Sequence, residues 1–106
     1  ERLSAGDPAA TFAAAAAFAA EQLATSPALV LTIGHDPFAH ALGAMAQRAG
    51  VPHLRLQAGQ RAHGGAANRR ALAAAVDHTG SHFAVASTWQ RHELLHEGHP
   101  PDTVYE

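Results

Sequence analysis

Short apolar runs alternate with helix-like stretches along the chain, and this alternation constrains the fold more than any other feature. The apolar runs occupy residues 28–33, 52–57, 82–86 and 103–105. Between them, apolar residues recur at helical spacing or follow a residue suited to capping a helix. Because parallel strands cannot be joined by a hairpin and need crossover connections, the sequence predicts one α/β domain with a Rossmann-like parallel sheet.

Turn and cap residues set the limits of the predicted helices. The predicted helices span residues 7–24, 37–50, about 66–77 and 88–98. Asp7 is suited to cap the first, Gly50 to end the second, and Ser87 or Thr88 to begin the fourth. The first strand run is apolar without strict alternation, which predicts a strand covered on both faces.

Composition excludes several classes of partner. The 106 residues carry a net charge of −2, and all seven basic residues are arginines, so no basic surface for nucleic acid or anionic lipid is expected. The alanine-rich residues 13–20 lack a basic leader and precede Glu21, which predicts a soluble helix and no membrane segment. The absence of cysteine excludes disulfides and thiolate metal sites and favours the cytoplasm.

The loops after the strands are the expected place for chemistry, because ligands of parallel sheets bind beyond the carboxyl ends of the strands. His35 beside Asp36 is a candidate acid/base pair, with the alternative that Asp36 caps the following helix. Arg61 and the Arg69-Arg70 pair are candidates to bind a phosphate or carboxylate, with the alternative that they only solvate a loop.

The segment His92-Glu93-x-x-His96 matches a zinc-protease signature, with His99 as a conceivable third ligand. The predicted helix is short, however, and Gly98 ends it. With nine histidines in 106 residues, chance pairs at this spacing are easy to produce. Adventitious metal binding is therefore favoured over a zinc-dependent hydrolase.

Several short motifs occur in one order along nearly the whole chain. They are the strand ending at Gly34, the helix ending at Gly50, Val51-Pro52, Ala58-Gly59, Arg61, Asn68-Arg69, Asp77-His78 and the segment 83–98. Together they resemble the non-hydrolysing UDP-N-acetylglucosamine 2-epimerases, which have two Rossmann-like lobes of a GT-B-like fold. The resemblance implies that residues 1–106 form part of the N-terminal lobe, as a single incomplete domain.

The resemblance also implies a function and its residues. Members of this family bind a UDP-sugar between the lobes, eliminate UDP through a glycal intermediate and add it back after reprotonation at C2, without a cofactor or metal. His35, Asp36 and Gln57 fall at or beside the family's catalytic positions. Arg61, Asn68 and Arg69 fall at its substrate-binding positions.

The chain departs from the family where carboxylates are expected. His35 stands in place of an aspartate, Gln57 in place of a glutamate, and Gly65-Ala66 in place of an acidic pair; Arg55 replaces a histidine. Glutamine cannot ionise, so these changes imply altered or lost catalysis. The alternative is a non-catalytic regulatory or partner subunit of a sugar-nucleotide enzyme.

The family's opening strand and second lobe have no counterpart in this sequence. An unpaired central strand edge is prone to pairing with another chain. We therefore expect a dimer, or completion of the lobe by another chain or by flanking sequence.

Overall fold

The computed structural model describes residues 7–61 and 67–106, which form a single parallel sheet with intervening helices. The elements are α1 (Pro8–Leu23), β1 (Val30–Ile33), α2 (Pro37–Ala49), β2 (His53–Leu56), α3 (Ala67–Asp77), β3 (His82–Ala84), α4 (Thr88–His96) and β4 (Val104–Tyr105), with a 3₁₀ turn at Pro101–Thr103. The strands lie in the order β1-β2-β3-β4, all parallel. This confirms the predicted Rossmann-like α/β class.

Local sequence chemistry explains where the first two helices begin and end. An Asp7 carboxylate oxygen accepts hydrogen bonds from the N–H groups of Ala9 and Ala10, at 3.1 and 3.2 Å, and so caps α1. Gly50 adopts a left-handed φ of 74° immediately after α2, as the sequence predicts. None of the helices in the described residues is long and apolar enough to cross a membrane.

The sheet has one covered face and one open face. Register aligns Thr32 with Arg55, Arg55 with Phe83, and Phe83 with Val104, and all four are buried. On the opposite face, Ile33 aligns with Leu56, and the side chain of Ile33 is 53% exposed. Sequential strand order with right-handed crossovers places the crossing helices on one face, which accounts for the difference.

The prediction that β1 is covered on both faces is therefore wrong for the described residues. Val30 and Thr32 are buried, whereas Leu31 is 55% exposed beside the equally exposed Ile33. The run lacks alternation because the residues of the open face are also apolar, not because both faces are buried.

The buried side chains between the sheet and the helices form an apolar cluster and a polar group. Beside α4, a cluster of apolar side chains surrounds Phe83 and Leu94, together with Ala58, Val85 and Val104. On the covered face of β1 and β2, the buried side chains include the polar Thr32, His53 and Arg55 beside Val30. The outer helix α1 packs against α2 through Phe18 and Phe38, whose ring centroids lie 5.2 Å apart.

Candidate functional site

A pocket opens beyond the carboxyl ends of β1 and β2, where the topology predicts a ligand site. Its volume is about 330 Å³, and its lining comprises His35, Gln60, Arg61, Arg69, Leu72 and Ala73. His35 follows β1, Gln60 and Arg61 follow β2, and the other three belong to α3. The structure thus brings together three of the residues that the sequence nominates, from three separate segments.

Asp77 lies beneath this pocket with no exposed surface. Its carboxylate accepts hydrogen bonds from Arg55 Nε at 3.1 Å, from an Arg61 guanidinium nitrogen at 2.9 Å and from the Gly59 N–H at 3.0 Å. His35 Nε2 lies 3.8 Å from the same carboxylate, which is longer than a hydrogen bond. Asp77 therefore ties the loop after β2 to the end of α3.

The surroundings of Asp77 keep it charged. Burial would raise the pKa of this carboxyl, but His35, the Gly59 N–H, Arg61 and the charge of Arg55 together hold the pKa far below its ordinary value. Near neutral pH the carboxylate is an anion that compensates two buried arginines. It is a structural anion and not a proton donor.

Arg61 continues the network towards α4. Its guanidinium donates to both carboxylate oxygens of Glu97, at 3.0 and 2.6 Å, and to the Gln60 carbonyl at 2.7 Å. Burial would lower the pKa of Arg61, but Glu97 and Asp77 outweigh it and raise that pKa. Arg61 lines the pocket, but its guanidinium is held in place by two carboxylates, which also compensate its charge.

The network has a second branch under β1 and β2. A guanidinium nitrogen of Arg55 donates to the Thr32 hydroxyl at 2.9 Å, and that hydroxyl lies 2.6 Å from His53 Nε2. His53 Nδ1 lies 3.0 Å from the Thr79 carbonyl, which can only accept, so Nδ1 carries the proton and Nε2 accepts from Thr32. Burial lowers the pKa of His53, as does Arg55, against the opposing effects of the Thr79 carbonyl and Asp77.

Sequence reasoning missed this buried network. Its one visible signal is that Thr32, His53 and Arg55 occupy alternating positions in otherwise apolar strands. Alternation shows that such residues share a face, but it does not show which face is buried. The partner Asp77 is 22 residues away from Arg55, so no local pattern links the two.

The other predicted site residues lie apart from the pocket lining. Asp36 accepts the Ala39 N–H at 2.8 Å and caps α2, which confirms the capping alternative, and its side chain is exposed. Gln57 is exposed and adopts a left-handed φ of 55°. Asn68 lies in the first turn of α3, but its side chain, like residues 65 and 66, lies outside the described part of the structure.

The arginine pair divides between two roles. Arg69 is exposed at the pocket, whereas Arg70 lies 3.8 Å from Glu93 of α4 in an ion pair. The exposed position of Arg69 at the pocket is therefore compatible with the binding role predicted for it. A weak surface ion pair of this length contributes little to stability.

The zinc-protease motif does not form a grouped site in the structure. His92 and His96 are exposed on the nine-residue α4, and Glu93 faces Arg70. His99 lies instead against His78, with ring centroids 4.6 Å apart. Within the described residues, the group of three potential ligands close enough to share an ion is His78, Glu97 and His99, which contains neither His92 nor His96.

No family model and no curated protein matches the chain. Solved structures do match its fold. UDP-GlcNAc 2-epimerase from Methanocaldococcus jannaschii aligns with a TM-score of 0.86 at 16% identity, over 96% of this chain and 29% of that one. The enzyme from Rickettsia bellii aligns with a TM-score of 0.86 at 20% identity, over 98% and 28%.

A third similar structure, the Neisseria meningitidis UDP-GlcNAc 2-epimerase bound to UDP-GlcNAc, gives a TM-score of 0.84 at 18% identity, over 93% of this chain and 28% of that one. The chain thus spans less than a third of the length of these structures. At this identity the likeness establishes a shared fold.

Proposed function

We propose that this chain is part of a sugar-nucleotide-binding protein resembling the UDP-GlcNAc 2-epimerases, with residues 1–106 contributing a portion of the N-terminal lobe of a two-lobed GT-B-like fold. The observation that carries the proposal is the pocket that joins His35, Arg61 and Arg69 beyond the strand ends. The shared fold supports it, since one similar structure contains UDP-GlcNAc and another contains UDP-GlcNAc and UDP. A cytoplasmic location belongs to the same proposal.

The charge of the pocket suits an anionic ligand. Arg61 is compensated by Asp77 and Glu97, so the exposed Arg69 is the cation best placed to bind a diphosphate. A guanidinium can donate two parallel hydrogen bonds to phosphate oxygens. We assign Arg69 the direct contact and Arg61 the role of holding the pocket floor. The binding role that the resemblance implies for Asn68 is part of the same proposal.

The catalytic part of the proposal is altered or lost epimerisation. Gln57 cannot ionise, Asp36 caps a helix, and Asp77 is a compensated anion. Among the described residues that line the pocket, His35 is the one that carries an imidazole, a side chain that can act as a general acid or base, and its Nε2 is buried without a hydrogen-bond partner. One proton-transfer group supports reprotonation less well than several, so we expect slow or absent turnover.

Calorimetric titration of the protein with UDP and with UDP-GlcNAc tests the binding role. Arg69→Ala should weaken binding at least about tenfold, because it removes charge-assisted hydrogen bonds worth roughly 1.5–3 kcal/mol each. Arg48→Ala is a matched control, since Arg48 is an exposed arginine in the last turn of α2 that does not line the pocket. Absence of binding to either nucleotide, or equal loss in both variants, would refute the proposal.

Catalysis is measured separately. Incubation with UDP-GlcNAc in deuterated water, followed by proton NMR, detects UDP-N-acetylmannosamine and exchange of the proton at C2. Binding without either signal supports lost catalysis. If the wild type turns over UDP-GlcNAc and His35→Ala abolishes turnover while still binding the nucleotide, the proton transfer is assigned to His35.

The second candidate function is a non-catalytic subunit that pairs with a complete sugar-nucleotide enzyme. The exposed Gln57 at a family carboxylate position favours it. Stoichiometric co-purification with such an enzyme would support this candidate. A stable monomer that binds UDP-GlcNAc without a companion would contradict it.

A further inference from the structure

We propose that His78, Glu97 and His99 form a binding site for a divalent transition-metal ion, with Zn²⁺ as the best-suited ion. The three side chains lie just after the ends of two helices: His78 follows α3, and Glu97 and His99 follow α4. The site does not depend on the proposed sugar-nucleotide function. It shares only His99 with the metal motif visible in the sequence, which is His92-Glu93-x-x-His96 with His99 as a conceivable third ligand.

The geometry brings three metal-binding atoms together. One ligand atom from each of the three residues lies within 4.8 Å of the other two. Four ligands about 2.0–2.1 Å from Zn²⁺ are roughly 3.4 Å from one another in a tetrahedron. The imidazoles of His78 and His99, which stack with an interplanar angle of 30°, rotate about their side-chain bonds to direct one nitrogen each at the ion. Since the three residues converge from two separate segments, spacing along the sequence does not reveal the site.

Backbone and ring contacts fix the position of His99. Gly98 adopts a φ of 99°, the His99 N–H donates to the Leu94 carbonyl at 3.1 Å, and the imidazole packs on Phe83 with ring centroids 4.4 Å apart. Its Nε2 is buried without a hydrogen-bond partner among the described residues. A buried nitrogen left unpaired costs free energy, which a ligand to that nitrogen would recover.

The carboxylate of the proposed site is held in place by a neighbouring side chain. Glu97 is oriented by the two hydrogen bonds from Arg61. A carboxylate held by a second residue in this way is the usual support of a metal ligand.

The donor set selects the class of ion. Two imidazole nitrogens and one carboxylate oxygen suit Zn²⁺, Co²⁺ and Ni²⁺, whereas Mg²⁺ and Ca²⁺ prefer oxygen alone. Three protein ligands leave a fourth position for water. Because Arg61 shares Glu97 and lines the pocket, an ion here would also fix one side of the candidate ligand site.

Calorimetric titration of the protein with Zn²⁺ near neutral pH tests the site. We expect one binding event per chain that His78→Ala and His99→Asn each weaken at least about tenfold. His78 is exposed, so its replacement should leave the circular dichroism spectrum unchanged. The matched control is the double variant His92→Ala/His96→Ala, which removes two exposed histidines from α4 and should retain the wild-type affinity.

Cobalt supplies a second measurement. Tetrahedral Co²⁺ gives visible absorption bands, and these should appear in the wild type and the α4 double variant but not in His78→Ala. Bands that disappear only in the double variant would place the ion on α4 and overturn the proposal. So would an absence of Zn²⁺ binding to the wild type, or an affinity that neither His78→Ala nor His99→Asn changes.

Discussion

Asp77 organises the polar interior because it compensates two buried arginines and holds the backbone of the next loop. Removing one partner of a buried ion pair leaves an uncompensated charge, which costs several kcal/mol. Asp77 binds Arg55, Arg61 and the Gly59 N–H, so the position of the pocket floor depends on this one carboxylate. The residue thereby connects the stability of the fold with the shape of the candidate site.

His53 should make stability depend on pH. Burial lowers the pKa of His53 in the folded chain below the ordinary value of about 6.5, so the unfolded chain binds more protons between those two values. The free energy of unfolding therefore falls as pH decreases below about 6.5, and the loss is complete below the folded pKa. Urea unfolding of the wild type across this range measures the slope.

The variant His53→Gln should show a shallower slope between pH about 6.5 and the folded pKa, because one titrating group is gone. The slope does not vanish, since the lowered pKa of His99 acts in the same direction. His96→Gln is the control at an exposed position and should keep the wild-type slope. An unchanged slope in His53→Gln would contradict the account of His53.

Some residues of the candidate site were predictable and others were not. The strand-end rule was enough to nominate His35, Arg61 and Arg69, because position after a parallel strand follows from the pattern of elements. The engagement of Arg61 with Asp77 and Glu97 was not predictable, since its partners are 16 and 36 residues away. Long-range pairing depends on how helices pack, which periodicity does not specify.

Among the elements, the segment of residues 57–61 after β2 lies close against α4, because Gly59 approaches α4 directly. Gly59 has a φ of 81°, and a Cβ there would lie 2.6 Å from the Gln90 carbonyl oxygen. Backbone atoms cannot move aside as a flexible side chain can. The close contact of this loop with α4 therefore holds Gln60 and Arg61 at the pocket.

Gly59→Ala should destabilise the fold more than Gly50→Ala does. Both glycines have positive φ, but a Cβ at Gly50 would meet nothing within 4 Å. Gly50→Ala should therefore cost only the left-handed conformation, about 1–2 kcal/mol, whereas Gly59→Ala adds a backbone clash. Thermal unfolding of the two variants compares them, and equal shifts in midpoint would argue against the close contact.

The limits of the elements followed from local chemistry, and the faces of the sheet did not. Asp7 and Gly50 act as caps where the sequence places them, because capping depends on a few adjacent residues. Coverage of β1 depends on which side the crossover helices pack. The apolar run at residues 28–33 contains no information on that choice.

At the scale of the molecule, the helices in residues 7–61 and 67–106 leave one apolar face of the sheet open. Leu31 and Ile33 lie on that face of the edge strand β1, and the exposed Tyr105 lies on the same face of β4. Exposed apolar surface next to an unpaired strand edge promotes association with other chains. The open face is therefore the part of the molecule most sensitive to protein concentration.

Replacing both Leu31 and Ile33 with threonine should reduce self-association while leaving the fold stable. Threonine has a β-branched side chain, which suits a strand, and the apolar atoms that are removed lie on residues that are 55% and 53% exposed. The free energy of unfolding should therefore change by less than about 1 kcal/mol. Sedimentation velocity over a range of concentrations measures the association, and urea unfolding measures the stability.

Val30→Thr is the matched control for the effect on stability. Val30 lies in the same strand but is only 7% exposed, on the covered face, so burying a hydroxyl there should cost roughly 1–3 kcal/mol. If the double variant lost as much stability as Val30→Thr, the open face would have to be packed against another part of the protein.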